Sequence, residues 1–371
     1  MVMGVSVIIP VKGRANYLEN LLKSIAEAKR YTLDQIEIIV VDSSDKKTCS
    51  EIEAICNKFG ASYHHLQKGV SDARNYGIRI AKCPIILFVD SDCEVDRNIF
   101  NEHLKCYQTE EIGGCAGVTE FVGKRTWLWN VIEKMPFLQP FQWAKWKSHV
   151  TWAPCTNISF RKDVLERVNG FQSILPPKES GEDVDLGYRI TSLGYKICCN
   201  SNAKVYHTHE TWSKLSQFIE RTFRFGRGEY HLMKKHPENT FLDIPKNSFM
   251  FIALAVCFVC YAFIKSNLLY VIIPFVWLPI VILVQSVLAL KQSLINGDRH
   301  DIGYVYVSSL FEILFELGTI VECLRKRDLK FLFRRFIYAE DQLFGRWYWG
   351  IIKMWSFIIT LFIIFLFLII R

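Results

Sequence analysis

From Val5 onward, short apolar runs alternate with segments whose apolar residues recur every three or four positions. VSVIIP, IEIIVVD, ASYHHL and the run from Ile85 to Val89 read as strands. Apolar runs of that length, bounded by polar turns, suit strands covered on both faces. Between them, Ala15 to Ala28, Thr48–Phe59 and Ser71–Ala81 carry helical spacing. This alternation predicts an α/β fold with a mostly parallel, doubly wound sheet. No G-x-G-x-x-G follows the first strand, so a dinucleotide fold is not expected. Farther on, CTNISFRKDVLERVNGF predicts a strand, a helix opening near Asp163 and a stop at Gly170. GEDVDLGYRITSLGY places Glu182 and Asp183 just before a helix ending at Gly194, and AKVYH predicts one more strand.

Beyond residue 245 the pattern changes. Phe249–Leu290 is apolar except around Lys265, Ser266 and Asn267, which is long enough for two crossings of a bilayer core of about 30 Å. A hairpin turning at Lys265 is expected, with Pro274 and Pro279 kinking its second arm. Gly303–Leu324 carries Glu312, Glu316 and Glu322 and ends in a basic run. As a crossing it would break the positive-inside bias, so it is expected to lie on the cytosolic face. Met354–Ile370 reads as a third crossing, and four crossings remain open. WSKLSQFIERTFRFGRGEYHLMKK reads as an amphipathic helix at a membrane surface. Arg221, Arg224 and Arg227 share its broad face, as a lipid-facing stripe or a phosphate clamp. The expected divisions are 1–210 (catalytic), 211–246 (interfacial) and 247–371, with crossings near 249–265, 268–290 and 354–370.

Composition sharpens this picture. Half of the 371 residues are hydrophobic, 14% are aromatic, and the net charge is +8. That charge fits an anionic membrane surface or phosphorylated ligands, and no nucleic-acid motif accompanies it. The 12 cysteines are scattered without a secretory framework, so the polar part is expected in a reducing compartment. Cys257 and Cys260 fall in an apolar span and read as packing residues. No basic leader or cleavage site precedes VSVIIP, so no signal peptide is expected. A cytosolic domain would also leave the sequon Asn157-Ile158-Ser159 unmodified.

The chemistry gathers around Asp90-Ser91-Asp92, at the C-terminal end of the strand IILFV. That edge of an open α/β sheet is where ligands bind. Alternate residues of an extended segment face one way, so the two acids can share a site. Hard paired oxygens there suit Mg²⁺ or Mn²⁺ carrying a diphosphate. Acids at a helix N-terminus, as at Glu182 and Asp183, are held ionised by the helix dipole. His64-His65 resembles a metal pair, but neighbours on a strand face opposite ways, and the pair is set aside.

VSVIIPVKGR, IIVVDSSD, GVSDARNYGI, ILFVDSDCEV, TNISFRKDVLERVNGF, GEDVDLGYRI and VYHTH occur in this order and spacing. Over roughly residues 4–230 the chain resembles the family-2 glycosyltransferases of the GT-A fold. The resemblance implies a nucleotide grip at Pro10, Lys12, Arg14, Asp42, Asp72, Arg74 and Asp90. It implies a divalent metal (Mn²⁺ or Mg²⁺) on Asp92, with His207 or His209 completing its shell. Asp183 would be the general base for an inverting displacement, supported by Glu182. The Q-x-x-R-W motif of the family's processive synthases is absent, since Glu220 and Arg221 follow Gln217.

TWLWNVIEKMPFLQPFQWAKWKS mixes Trp127, Trp129, Trp143 and Trp146 with basic residues, the composition of a membrane belt. It reads as a contact for the membrane or a lipid-linked acceptor, or as a contact between copies of the chain. The expected function is sugar transfer from a nucleotide-sugar donor to a membrane-presented acceptor, for glycolipid or surface-polysaccharide assembly. It is expected in the plasma or inner membrane with the catalytic part cytosolic. A processive synthase and a catalytically silent scaffold of the same fold are the alternatives.

Overall fold

The computed structural model describes residues 4–133, 135–172, 180–212, 214–244, 246–295, 302–339 and ten positions between 353 and 365. Two compact units divide the chain, Met1–Lys214 and Leu215–Arg371.

The first unit runs β1 (Val5–Val11), α1 (Ala15–Ala28), β2 (Ile36–Asp42), α2 (Lys46–Phe59), β3 (Ser62–His65), α3 (Val70–Ile80) and β4 (Ile85–Phe88). It continues with β5 (Cys93–Val95), α4 (Ile99–Leu104), β6 (Ile112–Val122), α5 (Trp127–Ile132), β7 (His149–Val150), β8 (Ile158–Arg161), α6 (Lys162–Arg167), α7 (Glu182–Ser192) and β9 (Lys196–Thr208). The α/β fold expected from the alternating pattern is present. One nine-stranded sheet runs β3-β2-β1-β4-β8-β6-β9-β5, with β7 paired to β9. It is parallel from β3 to β4 and mixed beyond, because β8 enters antiparallel to both β4 and β6.

Both faces of β1 are covered. Val5, Val7 and Ile9 pack with Leu18, Leu21, Leu22 and Ile25 of α1, whose buried positions follow the helical period. Ile8 points to the opposite face, where a Cβ on Gly77 of α3 would lie 2.6 Å from it. Each such aliphatic side chain contributes about 1.5–3 kcal/mol on burial, which fixes the strand ends that carry the polar residues.

A buried polar bracket closes the sheet's far half. The Asn157 amide donates to the carbonyls of Val118 and Ala203, at 2.9 Å each. Its oxygen faces His103 Nε2 at 2.9 Å, while His103 Nδ1 meets Ser159 Oγ at 2.9 Å. The amide oxygen can only accept, so His103 donates from Nε2 and accepts at Nδ1. Burial pushes that imidazole down to about 4, keeping it neutral in this network. All twelve cysteines are free.

The second unit contains α8 (Leu215–Lys235), β10 (Thr240–Leu242), α9 (Asn247–Ile264), α10 (Ile273–Ile295), α11 (Ile302–Arg325) and β11 (Arg334–Phe336), which pairs with β10. α9 and the stretch Leu268–Val287 are each long and apolar enough to cross a membrane. The turn between them falls at Lys265–Asn267, where Asn267 caps the next turn by accepting from Leu269 N–H. Of the expected crossing at 354–370, residues 366–370 and three others lie outside the described residues, and those described are helical.

The acids of the helix expected over 303–324 point into the second unit. Glu316 and Glu322 of α11 are fully buried, as is Glu229 of α8. Glu322 accepts from Arg227 Nε at 3.1 Å, and Lys353 Nζ reaches Glu312 and Glu316 at 2.9 and 3.2 Å. Glu316 also accepts from Ser248 N–H in the first turn of α9. Buried carboxylates persist only with such partners.

Candidate active site

β1 and β4 end side by side, and their C-terminal edge gathers most of the expected donor-site residues. Phe88 ends β4, and the chain then turns, with Cys93 N–H donating to the Asp90 carbonyl at 3.2 Å. The segment is therefore a turn rather than an extension of the strand, and it sends its two acids to different partners. Asp90 Oδ1 accepts from Arg74 Nη2 at 3.3 Å. Asp92 Oδ2 accepts from Arg14 Nη1 at 2.5 Å, while its Oδ1 faces His207 Nε2 at 3.4 Å.

Arg74 ties this turn to α7. Its other terminal nitrogen donates to Glu182 Oε1 at 2.9 Å, and its guanidinium lies 5.3 Å from the centre of the Phe171 ring. Phe171 is fixed from α3 in turn, by a two-way clasp between its backbone and the Asn75 amide. Arg74 Nε is buried without a hydrogen bond among the described residues. Burial raises the Asp90 carboxyl above its ordinary range and Asp92 adds to this, while Arg74 opposes it.

Asp183 occupies the first turn of α7 beside Glu182 and accepts from Val184 N–H at 2.9 Å. Burial, then the neighbouring Glu182, push its carboxyl from 3.8 up to about 7, against the pull of Arg74. A carboxylate poised there exchanges protons near neutrality, as a general base requires.

His207 arrives from β9, whose pairing with β5 sets Cys93 opposite it. Nδ1 of His207 lies 2.7 Å from the Thr208 carbonyl and donates to it. The Nε2 lone pair is thereby aimed at the Asp92 carboxylate. Two electron-rich groups at 3.4 Å call for a proton or a cation between them. Asp92, Cys93 and His207 offer one ligand atom each, all within 4.8 Å of one another. A hard acid with an imidazole suits a divalent ion. His209 goes elsewhere, stacked on Trp129 with ring centres 4.8 Å apart.

Other expected residues divide. Pro10 and Lys12 border the end of β1, and Asp72 lies in the first turn of α3. Asp42 is fully buried at the end of β2, accepting from Ser44 N–H at 2.8 Å, from the Ser44 hydroxyl, and from Tyr63 O–H at 3.1 Å. Arg221, Arg224 and Arg227 belong to α8 of the second unit, where Arg227 is engaged by Glu322. Trp127 and Trp146 are 73% and 59% exposed, whereas Trp129 and Trp143 are buried. Trp143 packs edge-on to Trp152 and Trp129 against His209, so neither has a face left for a bilayer or acceptor. Cys93 was not marked from sequence. It neighbours Asp92 in the chain, and the β5–β9 register, invisible without the topology, sets it opposite His207.

The family model described as Glycosyl transferase family 2 matches residues 6–168. These residues belong to that family. The glycosyltransferase domain has relatives of low identity. The O-antigen biosynthesis protein RfbC of Myxococcus xanthus is 24% identical over 58% of this chain and 18% of its own length. Glycosyltransferase AglE of Haloferax volcanii is 26% identical over 61% of this chain and 72% of its own. The minor teichoic acid biosynthesis protein GgaB of Bacillus subtilis is 26% identical over 63% of this chain and 27% of its own. The chain thus spans well under two thirds of the first and third.

Proposed function

We propose that this chain transfers a sugar from a nucleotide-sugar donor to a membrane-presented acceptor, with inversion at the anomeric carbon. The observation that carries the reading is that Arg74 joins Asp90 of the Asp90–Asp92 turn to Glu182, the neighbour of Asp183 in the first turn of α7. In the proposed step Asp183 takes the proton from an acceptor hydroxyl. The hydroxyl oxygen forms a bond to the anomeric carbon as the bond to the diphosphate oxygen breaks, and the nucleoside diphosphate leaves. Asp92 and His207 are the residues that would hold Mn²⁺ or Mg²⁺. Such an ion, when bound, neutralises charge on the departing diphosphate. Arg14 holds Asp92 in place, and Arg74 fixes Asp90 and Glu182 as a positioning residue. Pro10, Lys12, Asp42 and Asp72 line the nucleoside end of the donor.

The relatives named for O-antigen and teichoic acid synthesis support surface-polysaccharide assembly as the setting. The two apolar helices support an integral membrane protein, with the catalytic domain on the cytosolic side where nucleotide sugars are made. Trp127 and Trp146 are the tryptophans placed to meet a lipid surface or a lipid-linked acceptor. A thermal-shift screen of nucleotide diphosphates and their sugars with Mn²⁺ or Mg²⁺ identifies the donor. Asp183→Asn should keep that stabilisation and lose transfer by about 10³-fold or more. Turnover near that of the unaltered protein would overturn the assignment of the base.

A further inference from the structure

Phe121 takes no part in the proposed chemistry, yet its ring stands against His207. β9 lies between β6 and β5, and the two registers set Phe121 on one flank of His207 and Cys93 on the other. Residues opposite one another on neighbouring strands share a face of the sheet, so the three side chains form a row. Beyond Cys93 comes Asp92, its neighbour in the chain. At the other end of the row the half-buried Phe121 ring has its centre 5.2 Å from that of His207, tilted by 42°.

His207 requires a second constraint. Its bond from Nδ1 to the Thr208 carbonyl fixes the tautomer and one point of the ring. A ring held at one edge still turns about that bond, whereas Nε2 has to stay aimed at Asp92 Oδ1, 3.4 Å away. Phe121 fills the space into which the imidazole would turn on the β6 side. Three rings from separate segments hold Phe121 in turn. Trp129 of α5 lies 5.0 Å away and Phe141, at the end of the turn Pro136–Phe141, 5.2 Å. Trp212, just past the turn His209–Thr211, lies 6.0 Å from Phe121 and meets His207 edge-on at 6.5 Å. Tilted and edge-on pairs at such spacings add attraction beyond the area they bury. The imidazole is thus braced by a built aromatic cluster on the side away from the carboxylate.

We propose that Phe121 is a positioning residue for His207, whose ring keeps the imidazole in the plane from which Nε2 and Asp92 meet one cation. Groups that orient a metal ligand govern affinity without touching the ion. The role rests on the reading of Asp92 and His207 as the residues that hold the ion. A phenylalanine that only filled the core would matter to stability and not to affinity.

The test measures Mn²⁺ binding to the full chain in detergent, from the electron paramagnetic resonance of the unbound ion, with no donor present. The unaltered chain should bind, and Asp92→Asn should lose binding. Phe121→Leu, which keeps most of the volume and loses the flat face, should weaken binding by about tenfold. Phe121→Met supplies the same reading if the leucine variant does not fold. Phe121→Tyr, which keeps the ring, should bind as the unaltered chain does. Phe100→Leu, at a buried core ring of α4, reports lost packing alone and should leave affinity unchanged. Melting temperatures of the metal-free variants check the fold. No binding by the unaltered chain, or full binding by Asp92→Asn, would overturn the ion reading and the role of Phe121 with it. If binding depends on Asp92 but is untouched in Phe121→Leu, or is weakened equally in Phe100→Leu, the role of Phe121 alone is overturned.

Discussion

Asp183 carries its own pH signature. A base must be ionised to accept a proton, and burial with Glu182 holds this carboxyl at about 7 instead of 3.8. Transfer should therefore fall about tenfold per unit below that value and level off above it. Glu182→Gln removes the repulsion, so the acid limb of the pH–rate profile should move to lower pH. The same shift affects stability with a defined sign. Between pH 3.8 and about 7 the unfolded chain has released a proton that the folded chain retains. Stability therefore declines as pH rises through that window. Asp183→Asn should raise the melting temperature at pH 8 and leave it nearly unchanged at pH 4. An equal rise at both would show that the side chain is strained for another reason.

Among elements, the helix crossing of α8 and α11 is the most demanding contact. A Cβ on Gly226 would lie 1.8 Å from the Phe315 carbonyl, and one on Gly318 would lie 2.2 Å from the Phe223 carbonyl. Helix propensity alone makes Gly→Ala favourable by about 1 kcal/mol. Here the clash is with backbone, which cannot swing aside, so Gly226→Ala should instead destabilise by about 1–3 kcal/mol. A lowered melting temperature in detergent is the expected reading. A rise would mean that the crossing is looser than described. The strands and helices up to β4 were legible because their periods are local: Val5, Val7 and Ile9 alternate, and α1 repeats every three or four. Arg227 was not legible. Its partner Glu322 lies 95 residues away, and no spacing reveals such a pair. His64 and His65 do face opposite ways, as alternation requires. His64 Nδ1 meets the Tyr76 hydroxyl, while His65 Nδ1 meets the Cys49 thiol.

At the scale of the whole molecule, two chemically different units share one chain. The first buries an ordinary α/β core, and the second exposes Phe263, Leu268, Phe275 and their neighbours along two long helices. Apolar surface of that extent is stable against lipid and not against water. The chain should therefore stay in the membrane fraction through an alkaline wash that strips peripheral proteins. Its release by that wash would exclude spanning helices. The hydropathy pattern made the hairpin at Lys265 visible. It could not show that Glu316 and Glu322 turn inward, since an acidic stripe looks alike whether it meets water or buried bases.

One interior amide also bears on where this chain can be made. Asn157 belongs to an Asn-Ile-Ser sequon, yet its Nδ2 spends both hydrogens between β6 and β9. An oligosaccharide linked there would leave one hydrogen and would have to exit through the middle of the sheet. Such sugars join asparagine in loops reachable from outside. A chain threaded past an N-glycosylating enzyme before its sheet closed would be marked at a position where the mark prevents closure. The closed sheet and a sugar on Asn157 therefore exclude one another.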